Sequence, residues 1–269
     1  MHIFKKSLGQ NFLVNNRYCK RIVEILDIKD NDWIIEIGPG TGAITKYIIE
    51  SNTKLLAIEY DYNLVVNLVK KFSHLKNFYL EYGDILKIKF EDLFKKYNIQ
   101  DTVKVCGSLP FNISKRIIHR FIRFNKYSEN IKIDKCVFVV QEEVAKEFVA
   151  KPPSSTLLSM ITSIYAKVRK YETISSKNFL PIPKVNGAIL EIIPYRVHQI
   201  NTEEIRNLEK TIKICFSRPR KKIINNLATL DKNSKTNLKS ILHQCNIDPN
   251  SRAENLNLEQ FLELSKLLF

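Results

Sequence analysis

The stretch Trp33-Ile34-Ile35-Glu36-Ile37, followed at once by Gly38-Pro39-Gly40-Thr41-Gly42, limits the possible folds of this chain more than any other feature. An apolar run of five residues closed by glycines reads as a buried strand that turns sharply at its end. Glycine has no Cβ, so the turn can take strained backbone angles and a ligand can approach it closely. A following helix, predicted over 43–51, would make this the first crossover unit of an α/β sheet. The G-x-G-x-G spacing differs from the G-x-G-x-x-G of dinucleotide sites. An ordinary tight turn also fits the same glycines.

The pattern repeats. Lys54–Glu59, Phe78–Tyr82, Val103–Cys106 and Lys135–Val140 read as further strands, with helices at 61–72, 113–124 and 141–149. Tyr18, Ile22, Ile25 and Leu26 recur at helical spacing and predict a leading helix within 15–28. Strands alternating with helices imply a mainly parallel sheet covered on both faces. Two later strands, near 165–174 and 187–193, lack a clear helix between them. Pro181 and Pro183 exclude regular helix or central strand from 179–184, so an antiparallel edge pair is expected. Beyond Pro194 only helices are predicted, at 202–217, 219–229, 234–244 and 257–268. The expected division is a domain at 1–197 and a small helical domain at 198–269.

Ligands of open α/β sheets bind at the carboxyl ends of the strands, and three such ends carry acids or glycines. Glu59 closes the second strand 21 positions after Gly38, where a carboxylate can accept both hydroxyls of a ribose. Gly83-Asp84 closes the third, where Asp84 can accept a hydrogen bond from an adenine amino group. The fourth ends in Gly107-Ser108-Leu109-Pro110-Phe111-Asn112. A side-chain oxygen and the Leu109 carbonyl can there bind the N–H groups of an exocyclic amine and localise its lone pair. Phe111 can stack on a base taken out of its strand. The alternative for this loop is a rigid apolar turn.

Lys and Arg number 43 against 28 acidic residues, a net charge of +15. Such a surplus attracts polyanions, although the many Lys, Asn and Ile residues also fit an A/T-rich genome. Cys19, Cys106, Cys136, Cys215 and Cys245 lie far apart without a CxxC pair, and the five histidines are isolated. Neither a disulfide framework nor a metal site is expected. No apolar run reaches the ~18 residues a membrane span needs, and none follows Lys5 and Lys6 as in a secretory signal. A cytoplasmic protein without membrane contact is the expectation.

Several stretches together resemble one family, the small-subunit ribosomal RNA adenine dimethyltransferases. They are Lys6 to Leu13 (K-S-L-G-Q-N-F-L), Glu36 to Gly42, Ser108 to Ser114 (S-L-P-F-N-I-S), Val140 to Ala145, Phe179 to Val185, Phe216 to Leu227 and Arg252 to Phe261. The resemblance implies an α/β fold: a Rossmann-like class I methyltransferase sheet with a small C-terminal helical domain. It implies S-adenosylmethionine as methyl donor, small-subunit rRNA as partner and action as a monomer. Asn11, Leu13, Gly38, Glu59, Asp84 and Ser108 would contact the donor. Ser108, Leu109, Pro110 and Phe111 would form the catalytic pocket, which Gln10 would also line. Lys115 and Arg116, with Arg120 and Arg123 on the same helix, and Arg218, Arg220, Lys221 and Lys222, opening a helix, would meet RNA. Ser108 departs from the family's asparagine, and Gly187 from its serine. A large-subunit adenine methyltransferase and a non-catalytic RNA- or DNA-binding relative are the other readings of these residues.

Overall fold

The computed structural model describes residues 11–196, 200–230 and 235–269. Gln10 and the rest of 1–10 lie outside the described residues, and with them the first part of the K-S-L-G-Q-N-F-L stretch.

The chain begins with β1 (Phe12–Leu13) and α1 (Asn16–Leu26), then alternates through β2 (Trp33–Ile37), α2 (Thr45–Ile48), β3 (Lys54–Glu59), α3 (Tyr62–Phe72), β4 (Phe78–Tyr82), α4 (Phe90–Lys96), β5 (Thr102–Ser108), α5 (Ser114–Tyr127), β6 (Lys132–Gln141) and α6 (Glu142–Val149). There follow α7 (Leu157–Tyr165), β7 (Ala166–Ile174), β8 (Phe179–Leu180), β9 (Gly187–Pro194), α8 (Thr202–Cys215), α9 (Ile223–Leu227), α10 (Lys235–Gln244) and α11 (Leu258–Leu268). Seven strands form one sheet in the order β4-β3-β2-β5-β6-β9-β7. The pairs from β4 to β6 are parallel, and β9 runs antiparallel to β6. Every residue of β2 is buried, as a central strand covered on both faces requires. The winding reverses between β2 and β5, so the crevice at their carboxyl ends is the topological switch point where such sheets hold ligands.

Local chemistry explains the elements around that crevice. Asn15 caps α1 by accepting from the Arg17 N–H at 3.0 Å, and the helix buries Cys19, Ile22, Ile25 and Leu26 against the sheet. Asp61 caps α3 through the Asn63 N–H at 3.1 Å. β1 pairs antiparallel with β8, Phe12 opposite Leu180 and Leu13 opposite Phe179. Gly107 is required by packing: a Cβ there would lie 2.2 Å from the Ile37 carbonyl oxygen of the neighbouring strand.

Among the described residues, contacts divide the chain into two compact units: 11–145 with 167–196, and 146–166 with 200–230 and 235–269. The stretch 146–166 therefore groups with the helices, not with the sheet as the boundary at 197 implied. Its α7 is held there by Tyr165 Oη donating to Glu209 at 2.9 Å and by the Ser155 N–H donating to the Glu254 carbonyl at 3.1 Å. A capping box between Thr156 and Ser159 starts this helix. A second correction concerns Arg218 to Lys222. They do not open a helix; the bends and turns of 217–222 precede α9, which starts at Ile223. Pro219 lacks an N–H and disfavours the helical region for Arg218. The helix expected over 43–51 is likewise only the four residues of α2.

Candidate active site

The carboxyl ends of β2, β3, β4 and β5 surround one cavity of about 320 Å³, within the roughly 300–1,000 Å³ of small-molecule sites. Asn11, Leu13, Gly38, Glu59, Asp84 and Ser108 all line it, with Pro110 and Arg116. Thus the residues expected to contact one ligand line one cavity. Leu109 and Phe111 do not line it. The Leu109 side chain is buried and its N–H donates to the Val139 carbonyl at 3.0 Å, while the Phe111 ring stands edge-on to Phe179 with centroids 6.0 Å apart. Lys115 is exposed on α5 outside the cavity, and Arg218, Arg220, Lys221 and Lys222 are exposed in the helical unit.

The glycine turn has two constraints. Gly38 takes φ +63° with nothing within 4 Å of where a Cβ would stand, so its open side faces free space. Gly40 takes φ +59°, and a Cβ there would lie 2.5 Å from Cδ1 of Phe12. The bare turn is what allows β1 to close over it.

Glu59 is buried and oriented by three backbone donors. Its Oε1 accepts from the Tyr60 and Asp61 N–H groups, both at 2.9 Å, and its Oε2 from the Gly40 N–H at 3.2 Å. Burial raises its pKa above the ordinary carboxylate value, and these donors oppose the rise. Asp84 accepts from the Leu86 N–H at 2.9 Å, which fixes its loop.

One lining residue was not foreseen from the sequence, and one basic residue points elsewhere than expected. Glu36 lines the cavity while 1% exposed, and accepts from Thr45 Oγ1 at 2.6 Å. Burial, with the nearby Glu59 charge adding to it, pushes its pKa up to about 7. An acid inside an otherwise apolar strand was the available signal. Arg120, expected to face RNA, instead turns inward. It donates to the carbonyls of Ile85 (2.8 Å) and Ile88, and its guanidinium lies 4.3 Å from the Phe90 ring centroid. It thereby holds the loop that carries Asp84.

The residues present fit S-adenosylmethionine. The open side of Gly38 leaves room against the backbone, Glu59 and Asp84 offer acceptors for ribose and adenine, and the Ser108 hydroxyl is buried in the lining without a hydrogen-bond partner among the described residues. Sheet order and strand-end site define a Rossmann-like, S-adenosylmethionine-dependent methyltransferase. Among the described residues, no group of three or more His, Cys, Asp or Glu side chains is placed to hold a metal ion.

Comparison with known proteins carries the assignment further. A family model described as ribosomal RNA adenine dimethylase matches residues 1–269. The chain belongs to that family, and is an S-adenosylmethionine-dependent rRNA adenine dimethyltransferase. It is 38% identical to the ribosomal RNA small subunit methyltransferase A of Fusobacterium nucleatum, with 98% of this chain and 97% of that one covered. It is 37% identical to the protein of the same name from Blochmanniella floridana, covering 99% and 94%. The fold matches a dimethyladenosine transferase from Plasmodium falciparum with a TM-score of 0.76 at 22% identity, over 94% of this chain and 95% of that one. It matches the 23S rRNA methyltransferase ErmE with a TM-score of 0.75 at 21% identity, over 95% and 98%.

Proposed function

We propose that this enzyme transfers two methyl groups to the N6 amine of each of two adjacent adenosines near the 3′ end of small-subunit rRNA, acting as a cytoplasmic monomer. The observation that carries the reading is that Ser108 and Pro110 share a cavity wall with Gly38, Glu59 and Asp84, so an acceptor amine and a methyl donor can meet there. Relatives named for the small subunit support the choice of RNA.

S-adenosylmethionine, when bound, supplies an electrophilic methyl on a sulfonium. Gly38 leaves space for its methionine part, Asn11 and Leu13 close over it, Glu59 accepts from the ribose hydroxyls, and Asp84 accepts from the adenine amino group. The Ser108 hydroxyl and the Leu109 carbonyl accept from the target amine and concentrate its lone pair on nitrogen. Phe111, packed edge-on against Phe179, stacks on the extruded base. These contacts would hold the amine nitrogen against the donor's methyl carbon, so that the N–C bond could form as the C–S bond breaks, the thioether leaving and the amine proton passing to solvent; most of the rate gain would come from positioning and polar contacts. Arg116 on the cavity lining, Lys115 outside it, and Arg218, Arg220, Lys221 and Lys222 in the helical unit contact RNA phosphates. In this reading the unit of 11–145 with 167–196 is catalytic, and the helical unit of 146–166, 200–230 and 235–269 binds RNA.

Incubating isolated small and large ribosomal subunits with labelled donor tests the proposal. Label in the small subunit, mapped by mass spectrometry to dimethyladenosine, is expected. Transfer only to the large subunit would overturn the choice of RNA.

A further inference from the structure

The helical unit has a second concavity, an open groove of about 560 Å³ beside α8. Arg206, Lys210 and Lys213 line it, spaced so that they share one face of the helix, and all three are exposed. The opposite face of α8 is core: Ile205, Leu208, Ile212 and Cys215 are buried. A basic helix face is usually only solvated, but here two of the three cations have side-chain partners. Lys213 Nζ pairs with Glu209 at 3.0 Å, and Glu209 is itself fixed by the Tyr165 hydroxyl at 2.9 Å. Lys210 Nζ lies 3.8 Å from the centroid of the Phe269 ring, a cation–π contact. Arg206 makes no ion pair or hydrogen bond among the described residues, so its fork of donors is available.

We propose that this groove is a track for the RNA phosphodiester backbone, separate from the methyl-transfer cavity. The proposal rests on the reading of the substrate as RNA. Three cations against one carboxylate leave two positive charges for phosphates. From Arg206 to Lys213 the stripe runs about 10 Å along the helix, longer than one phosphate and suited to a strand. It leads to Ser217, also on the groove, where the exposed loop with Arg218, Arg220, Lys221 and Lys222 begins. Electrostatic continuity within this unit favours a polyanion over a compact acid.

The test is the full-length triple variant Arg206→Gln, Lys210→Gln, Lys213→Gln, with binding to small-subunit rRNA measured between about 50 and 200 mM salt. Losing two phosphate contacts should lower the log–log salt slope by roughly 1.4–1.8. Donor affinity, and the single-turnover rate on the same RNA at saturating enzyme, should stay at parent values. An unchanged slope would overturn the track and leave a solvated face. Weaker binding to the intact subunit with an unchanged slope on naked RNA would assign the groove to a ribosomal protein, and overturn it equally. Failure of the function proposed above shows separately, as parent enzyme that neither binds nor methylates this RNA.

Discussion

Glu36→Gln isolates the charge whose burial is least compensated in the cavity. The Glu36 carboxyl is 1% exposed, accepts from Thr45, has no ion pair among the described residues, and feels the charge of Glu59. Its pKa rises from 4.5 to about 7, mainly through burial. At 1.36 kcal/mol per pKa unit, the folded chain holds this proton more tightly than the unfolded chain by about 3 kcal/mol. A raised folded pKa means that the folded state binds more protons between pH 4.5 and 7. Stability therefore falls as pH rises through that window, and the loss is complete above about pH 7. Glutamine keeps the size and the acceptor for Thr45 without the charge. Glu36→Gln should match its parent below pH 4.5 and exceed it by up to about 3 kcal/mol at pH 8. Urea unfolding followed by fluorescence reads this, because Trp33 is the only tryptophan and starts the same strand. Donor affinity should fall, since the donor is a net cation and the cavity loses an anion, so stability and function trade against each other. An equal shift at both pH values, or none at either, would refute the assignment of this cost to a buried charge.

Three further outcomes are expected. Gly40→Ala places a methyl 2.5 Å from Phe12 at a left-handed position; the backbone alone costs roughly 1–2 kcal/mol. Calorimetry should show donor binding at least about tenfold weaker as β1 is pushed away, a loss of about 1.4 kcal/mol, and parent-like stability and affinity would refute it. Ser108→Asn gives the target amine a longer-reaching acceptor in place of a hydroxyl that is buried without a partner among the described residues. One added net hydrogen bond of about 1 kcal/mol predicts a roughly fivefold faster single-turnover rate, and a slower one would show that serine is the fitted residue here. Replacing Arg218, Arg220, Lys221 and Lys222 together by Gln should weaken RNA binding and flatten its salt dependence while donor affinity, read by calorimetry, stays unchanged; unchanged RNA binding would remove this loop from the interface.

The strands could be read from the sequence because each central one is a short, nearly unbroken apolar run, which a sheet covered on both faces demands. Elements were missed where that logic fails. In α4 only Phe90, Leu93 and Phe94 are buried over seven residues, too short for a periodic signal, although Glu91 and Asp92 at its start and Lys95 and Lys96 at its end suit the helix dipole. In α7, Leu157-Leu158-Ser159-Met160-Ile161-Thr162-Ser163-Ile164-Tyr165 is buried on nearly all sides, so no polar face marks a period; the capping box at Thr156 was the usable cue. The two residues of β1 have no local signature, since only pairing with β8 makes them a strand.

The site divides in the same way. Gly38, Glu59 and Asp84 could be placed because strand order alone brings their strand ends together. The directions of Leu109, Phe111 and Arg120 depend on neighbours from other elements, and no local pattern encodes them. Charge shows the gap most clearly. The chain totals +15, which suggests a basic molecule throughout, yet Glu36, Glu59 and Asp84 make its cavity acidic. The two ligands of the proposed reaction need opposite fields: a cationic donor inside and a polyanion outside. Screening makes both possible in one molecule, because exposed charges fade within about 8 Å at physiological salt while buried ones are screened far less. Lys and Arg on the surface can therefore gather RNA without cancelling the carboxylates that draw in the donor, and it is burial, which composition does not report, that separates the two.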